Sequence, residues 1–85
     1  MLVIYIKETI FENNSITIKT DGILNRESIP ILENICEDHL KNHKKILLRF
    51  DNIIHISREG RDFLRELEEK GIQVDLPQFF NIDKY

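Results

Sequence analysis

Cys36, His39 and His43 fall at i, i+3 and i+7 in the 85-residue sequence, with Asp38 between them. That spacing places the three side chains near one helical face, as metal ligands can be. A closed zinc site takes four such ligands, and no fourth follows nearby in the chain. Ordinary packing accounts for the same residues. Cys36 belongs to an apolar stripe, where free cysteine is commonly buried. His39 and His43 close a helix, where cationic side chains are favoured. A Cys–His nucleophile needs an electropositive surrounding, whereas Glu33, Glu37 and Asp38 supply the opposite. His55 lies between the third strand and the second helix, a place where α/β folds often hold functional groups. It has no orienting partner visible in sequence and reads as a hydrogen-bonded loop histidine. Gly22, Gly60 and Gly71 stand alone and form no phosphate-cradling loop. These residues lead to the expectation of no catalytic group, no metal and no cofactor; the chain reads as a non-enzyme.

Charge and composition narrow the classes further. Twelve basic against fifteen acidic residues leave a formal net charge of −3, which argues against binding nucleic acid through its phosphates. One cysteine excludes an intramolecular disulfide framework and fits a reducing compartment. No apolar run approaches the ~20 residues of a membrane span. The apolar start Met1–Ile6 has no basic segment before it and no cleavage pattern after it. A single cytoplasmic domain over residues 1–85, without membrane insertion, is the expectation, and its core is small.

The elements that must position any site follow from periodicity. Leu2–Ile6 is β-branched and aromatic and reads as a strand. After the turn cluster Glu12–Ser15, residues 15–20 alternate, with Ile16 and Ile18 on one face; together the two segments predict an antiparallel hairpin that Asp21-Gly22 ends. Ser28 reads as an N-cap, followed by Ile29, Leu32, Ile35, Cys36 and Leu40 at helical spacing. Ile46–Phe50 is a continuous run, expected to be a strand covered on both faces. Ser57 caps a second helix whose face is Gly60, Phe63, Leu64 and Leu67, and Lys70-Gly71 stops it. Ile72–Leu76 alternates as a last strand, before an apolar tail. The order β-β-α-β-α-β plus tail predicts an α/β fold with a four-stranded mixed sheet.

From Ser15 to Leu76 this order resembles the STAS family, the domain of anti-sigma factor antagonists and sulfate-transporter tails. Three stretches carry the resemblance: Thr20-Asp21-Gly22-Ile23-Leu24-Asn25 at a strand exit, Ile46–Ile53 at a central strand, and Ile56-Ser57-Arg58-Glu59-Gly60. The last falls where the family has aliphatic-Asp-Ser-Ser-Gly. In phosphorylated members the second of those serines is modified by a partner kinase, and here Glu59 stands in its place. Three acidic positions of the pattern are also changed, to Asn25, Arg49 and Ser57. A glutamate in a first helical turn is ordinary helix chemistry. The sharper alternative is a permanent negative charge in place of a reversible one, held by the helix N-terminus and by Arg49 or Arg58. Either way Glu59 has no hydroxyl to phosphorylate.

The resemblance implies a non-catalytic module whose partner is a kinase-type anti-sigma factor or a transporter ATPase subunit. Docking at the second helix would use Asn52, His55, Ser57, Arg58, Glu59, Arg61, Asp62 and Arg65. The alternative is a small-ligand or nucleotide sensor with a basic cleft near Arg49 and Arg58. The family's domain continues past its last strand through another helix. Phe79, Phe80, Ile82 and Tyr85 are therefore expected to fold back over the uncovered face, or to form a contact with a second copy or a partner.

Overall fold

Asn14 adopts φ 64° and so reverses the chain between two long strands, a conformation that asparagine tolerates better than most residues. The computed structural model describes residues 4–77. The strands on either side of the turn are β1 (Ile4–Phe11) and β2 (Ser15–Leu24), paired antiparallel from Phe11↔Ser15 to Ile4↔Gly22. The hairpin is the expected one, with β1 running on to Phe11 and β2 to Leu24; Leu2 and Val3 of the expected first strand lie outside the described residues. Asp21-Gly22 does not break β2: the strand takes a register shift between Gly22 and Ile23 and continues to Leu24.

Helix α1 (Ile29–Lys41) returns the chain to β3 (Lys45–Arg49), which lies parallel to β2. Asp51 and Asn52 form a bend, and Ile53–Ile56 then forms β4, parallel to the exit of β2 at Gly22↔Ile53 and Leu24↔Ile56. Helix α2 (Arg58–Glu69) and β5 (Gln73–Asp75) follow, with β5 parallel to β3. The described residues thus hold a mixed five-stranded sheet, ordered β1-β2-β3-β5 with β4 on β2, not the expected four strands. The extra strand is four residues long, too short to show a period, and its Ile-Ile-His-Ile pattern has only its outer two residues buried.

One face of the sheet carries the core. Ile16, Ile18, Leu24 and Leu48 from the strands pack with Leu32 and Cys36 of α1 and with Phe63, Leu64 and Leu67 of α2. On β2 burial alternates residue by residue, so Thr17, Lys19 and Asp21 face away from the helices. The expected cover on both faces of β3 is not present among the described residues, where Leu47 is half-buried and Arg49 exposed. A central parallel strand shows a near-continuous apolar run only when both layers are present, and the described residues supply one helical layer. The helix stops differ in chemistry. Gly71, at φ 93°, donates its N–H to the Glu68 carbonyl and ends α2 as expected. No helix among the described residues is long and apolar enough to cross a membrane. Phe79, Phe80, Ile82 and Tyr85 lie outside the described residues.

Candidate functional site

Three segments converge at one end of the sheet: the exit of β2, strand β4 and the first turn of α2. Backbone bonds tie them together. Gly22 N–H donates to the Asn52 carbonyl at 3.2 Å, and Ser57 N–H donates to the Leu24 carbonyl at 2.9 Å. Asp21 adds a side-chain link, its Oδ1 accepting from Asn52 N–H at 3.1 Å. Ser57 is the side-chain N-cap its sequence position predicts, with Oγ accepting from Gly60 N–H at 3.0 Å. Gly60 is buried beneath this turn, so α2 sits directly on the β2 exit.

The cap of α1 corrects the expectation. Ser28 precedes the helix but makes no cap bond to it. Its hydroxyl donates to the Ile23 carbonyl at 2.8 Å and accepts from Asn25 N–H at 2.9 Å. Asn25 instead caps the turn ahead of α1, its Oδ1 accepting from Glu27 N–H at 3.0 Å and Ser28 N–H at 3.2 Å. This closed turn holds Arg26 outward, and Arg26 Nη2 meets Glu59 Oε2 at 2.9 Å. The Glu59 carboxyl lies below the usual range, first through its own backbone N–H and then through Arg26 and Ser57. The cation paired with Glu59 is therefore Arg26, from the other side of the site. Arg49 instead lies on the open sheet face between Asp51 at 3.3 Å and Asp75 at 3.8 Å.

Of the eight expected docking residues, Asn52, His55, Arg58, Glu59, Asp62 and Arg65 are exposed, whereas Ser57 and Arg61 are half-buried. His55 is part of β4 rather than a loop. Asp62 and Arg65 pair with each other at 3.3 Å, one turn further along α2. Two residues were missed. Arg26 shows its role only once the β2 exit and α2 are brought together. Ile54, 74% exposed on β4, lies just before the start of α2; its signal was the Ile53-Ile54 doublet, in which two neighbours on a strand cannot both face the core.

Cys36, His39 and His43 do not come together. Helix α1 ends at Lys41, and His43 lies beyond it at φ 57° and exposed. Cys36 is fully buried, and burial followed by Glu37 pushes its thiol up to about 12. His39 is buried too, its Nε2 bonded to Glu8 of β1. No group of three or more His, Cys, Asp or Glu among the described residues could hold a metal. A concavity of about 250 Å³ lies on the sheet face away from the helices, lined by Lys7, Lys19, Arg49 and Asp51 among others. Arg58 does not line it.

No protein-family model matches the chain, and no curated protein matches it at a significant level.

Proposed function

We propose that the protein is a non-catalytic regulatory interaction module of the STAS type, with its partner docking where β4 meets the start of α2. The carrying observation is Ile54, a large apolar side chain left exposed just before the Ser57-capped turn. An isolated exposed isoleucine needs no explanation. Here it lies three residues before Ser57, in the segment whose backbone is tied to the β2 exit, and the Arg26–Glu59 pair links that exit to α2. An apolar anchor within a polar rim is the anatomy of a docking surface.

Glu59 stands where phosphorylated relatives of this type carry serine, and its carboxylate is stabilised in charged form. A constitutive negative charge replaces a switchable one, so docking is not controlled at this position. The resemblance implies a kinase-type anti-sigma factor or a transporter ATPase subunit as partner, in the cytoplasm. The test is affinity purification of the tagged full chain from its source cells. A partner retained by wild type and by Glu12→Lys, at the distant hairpin turn, is expected to be lost with Ile54→Asp and Arg26→Glu. An identical set of co-purifying proteins from all four would overturn the surface.

A second reading, a sensor of anionic small molecules such as nucleotides, draws on the open-face concavity with Lys7, Lys19 and Arg49. Its cations are already offset, Lys19 by Asp51 at 3.7 Å and Arg49 by Asp51 and Asp75. Nucleotide-dependent thermal stabilisation abolished by Lys19→Glu would support it. No shift at millimolar nucleotide would dismiss it.

A further inference from the structure

We infer that two copies of the chain associate edge to edge through β1, antiparallel about a two-fold axis at Glu8, extending one sheet across both. Among the described residues β1 is an edge strand, eight residues long, and no strand pairs with its outer side. It carries three of the four exposed large hydrophobic residues there: Tyr5 at 70%, Ile10 at 63% and Phe11 at 49%. An uncovered edge with unpaired backbone groups and apolar side chains is a template for strand addition.

The occupant and register follow from symmetry. A two-fold axis perpendicular to the sheet keeps both helical layers on one side and runs the two β1 strands antiparallel. Directly opposed residues must then share a face, so the axis passes through a residue rather than between two. Pairing with β2 gives the faces: Glu8 lies opposite Ile18, which is in the core, so Glu8, Ile6 and Ile10 face the helices. Tyr5, Lys7 and Phe11 face the open side.

An axis at Lys7 sets two lysines together, Tyr5 against Thr9 and Ile6 against Glu8. An axis at Thr9 sets Lys7 against Phe11 and Glu8 against Ile10. An axis at Glu8 sets Tyr5 opposite Phe11 and Ile6 opposite Ile10, each twice, with Lys7 opposite Thr9. Aromatic and branched apolar cross-strand pairs are the favourable ones. The two Glu8 side chains meet at the axis, and each is already bonded to its own His39, which draws the carboxylate toward α1. The cleft between β1 and α1 lies on this side, where Ile10 and Ile35 are flanked by Glu8, Asn34, Asp38 and His39.

The test uses the full chain. Sedimentation equilibrium up to about 0.5 mM is expected to show a monomer–dimer equilibrium, since contacts below ~1,200 Å² are characteristically weak. Tyr5→Ser and Phe11→Ser are each expected to weaken it at least about tenfold, because symmetry removes two aromatic pairs at once. Glu8→Gln is expected to tighten it about two- to fivefold by removing the opposed charges. Register is read by oxidation. Glu8→Cys is expected to form a disulfide-linked dimer, and a mixture of Tyr5→Cys with Phe11→Cys to form the mixed dimer, because opposed strand residues lie within disulfide reach. Cys36 is buried and stays out of this chemistry. A monomer at all concentrations, a dimer indifferent to Tyr5 and Phe11, or cross-linking centred on Lys7 or Thr9 would each overturn the inference.

Discussion

The carbonyl oxygen of Leu24 would lie 2.8 Å from a β-carbon placed on Gly60, and the same oxygen accepts the Ser57 N–H at 2.9 Å. The β2 exit and the first turn of α2 are thus in contact at backbone level, with no room for a side chain between them. The candidate docking surface depends on this approach. It aligns Arg26, held by the loop after β2, with Glu59 on α2.

Gly60→Ala follows directly. The Cβ would also meet Ile56 Cγ2 at 3.0 Å, and neither the carbonyl nor the buried isoleucine can move freely. We expect a loss of about 1–3 kcal/mol of stability by chemical denaturation, with the Arg26–Glu59 contact weakened as α2 lifts. Gly71→Ala separates strain from crowding. Its Cβ would meet nothing within 4 Å, so only its positive φ is at stake, costing about 1 kcal/mol.

Acidification probes the Arg26–Glu59 pair. The Glu59 carboxyl is lower when folded than when unfolded, so the folded state binds that proton more weakly. Its stabilising contribution is complete above the ordinary carboxylate range and is lost as pH falls through the folded value. In Arg26→Met the carboxyl is expected to titrate closer to the ordinary range, although its own backbone N–H still holds it down. NMR titration of the glutamate side-chain carbons measures both.

Cys36 is expected to resist modification. A buried thiol raised to about 12 holds negligible thiolate at neutral pH. Thiol reagents should therefore react with the native protein orders of magnitude more slowly than with the denatured chain. Rapid native-state labelling would contradict the packing of α1 against the sheet.

Thr20 presents the opposite case, a fully buried residue whose Oγ1 has no hydrogen-bond partner. It points into the core from β2, where a hydroxyl loses its hydration without compensation. Thr20→Val keeps the branched shape and removes the polar atom, and is expected to stabilise the fold by roughly 1–2 kcal/mol. A raised denaturation midpoint with an unchanged slope would check it.

Periodicity made most of the framework legible. Alternation at Ile16 and Ile18, the Gly60–Leu67 stripe and the Ser57 and Gly71 boundaries all appear in the structure as the residues imply. Each is local: a period or a cap is set by neighbours within a few positions, and the core then selects the face already apolar. Ser28 shows the limit of that logic. Its place before α1 was legible, yet its hydroxyl bonds to the Ile23 carbonyl while Asn25 caps the turn. Both residues are competent caps, and only the path of the β2 exit decides between them.

Composition and periodicity are enough for a mixed α/β order, an acidic chain, a Glu without a hydroxyl at position 59 and the apolar faces of both helices. Only the packing of distant segments settles that β2 runs on past Gly22, that Ile53–Ile56 joins it as a strand, and that among the described residues one sheet face carries no helices. It also decided that Arg26, not Arg49, pairs with Glu59. The physical reason is range. Helical stripes and caps are satisfied within one segment, whereas a strand exists only when a distant strand accepts its hydrogen bonds. An ion pair likewise exists only where two separate turns bring its charges within reach.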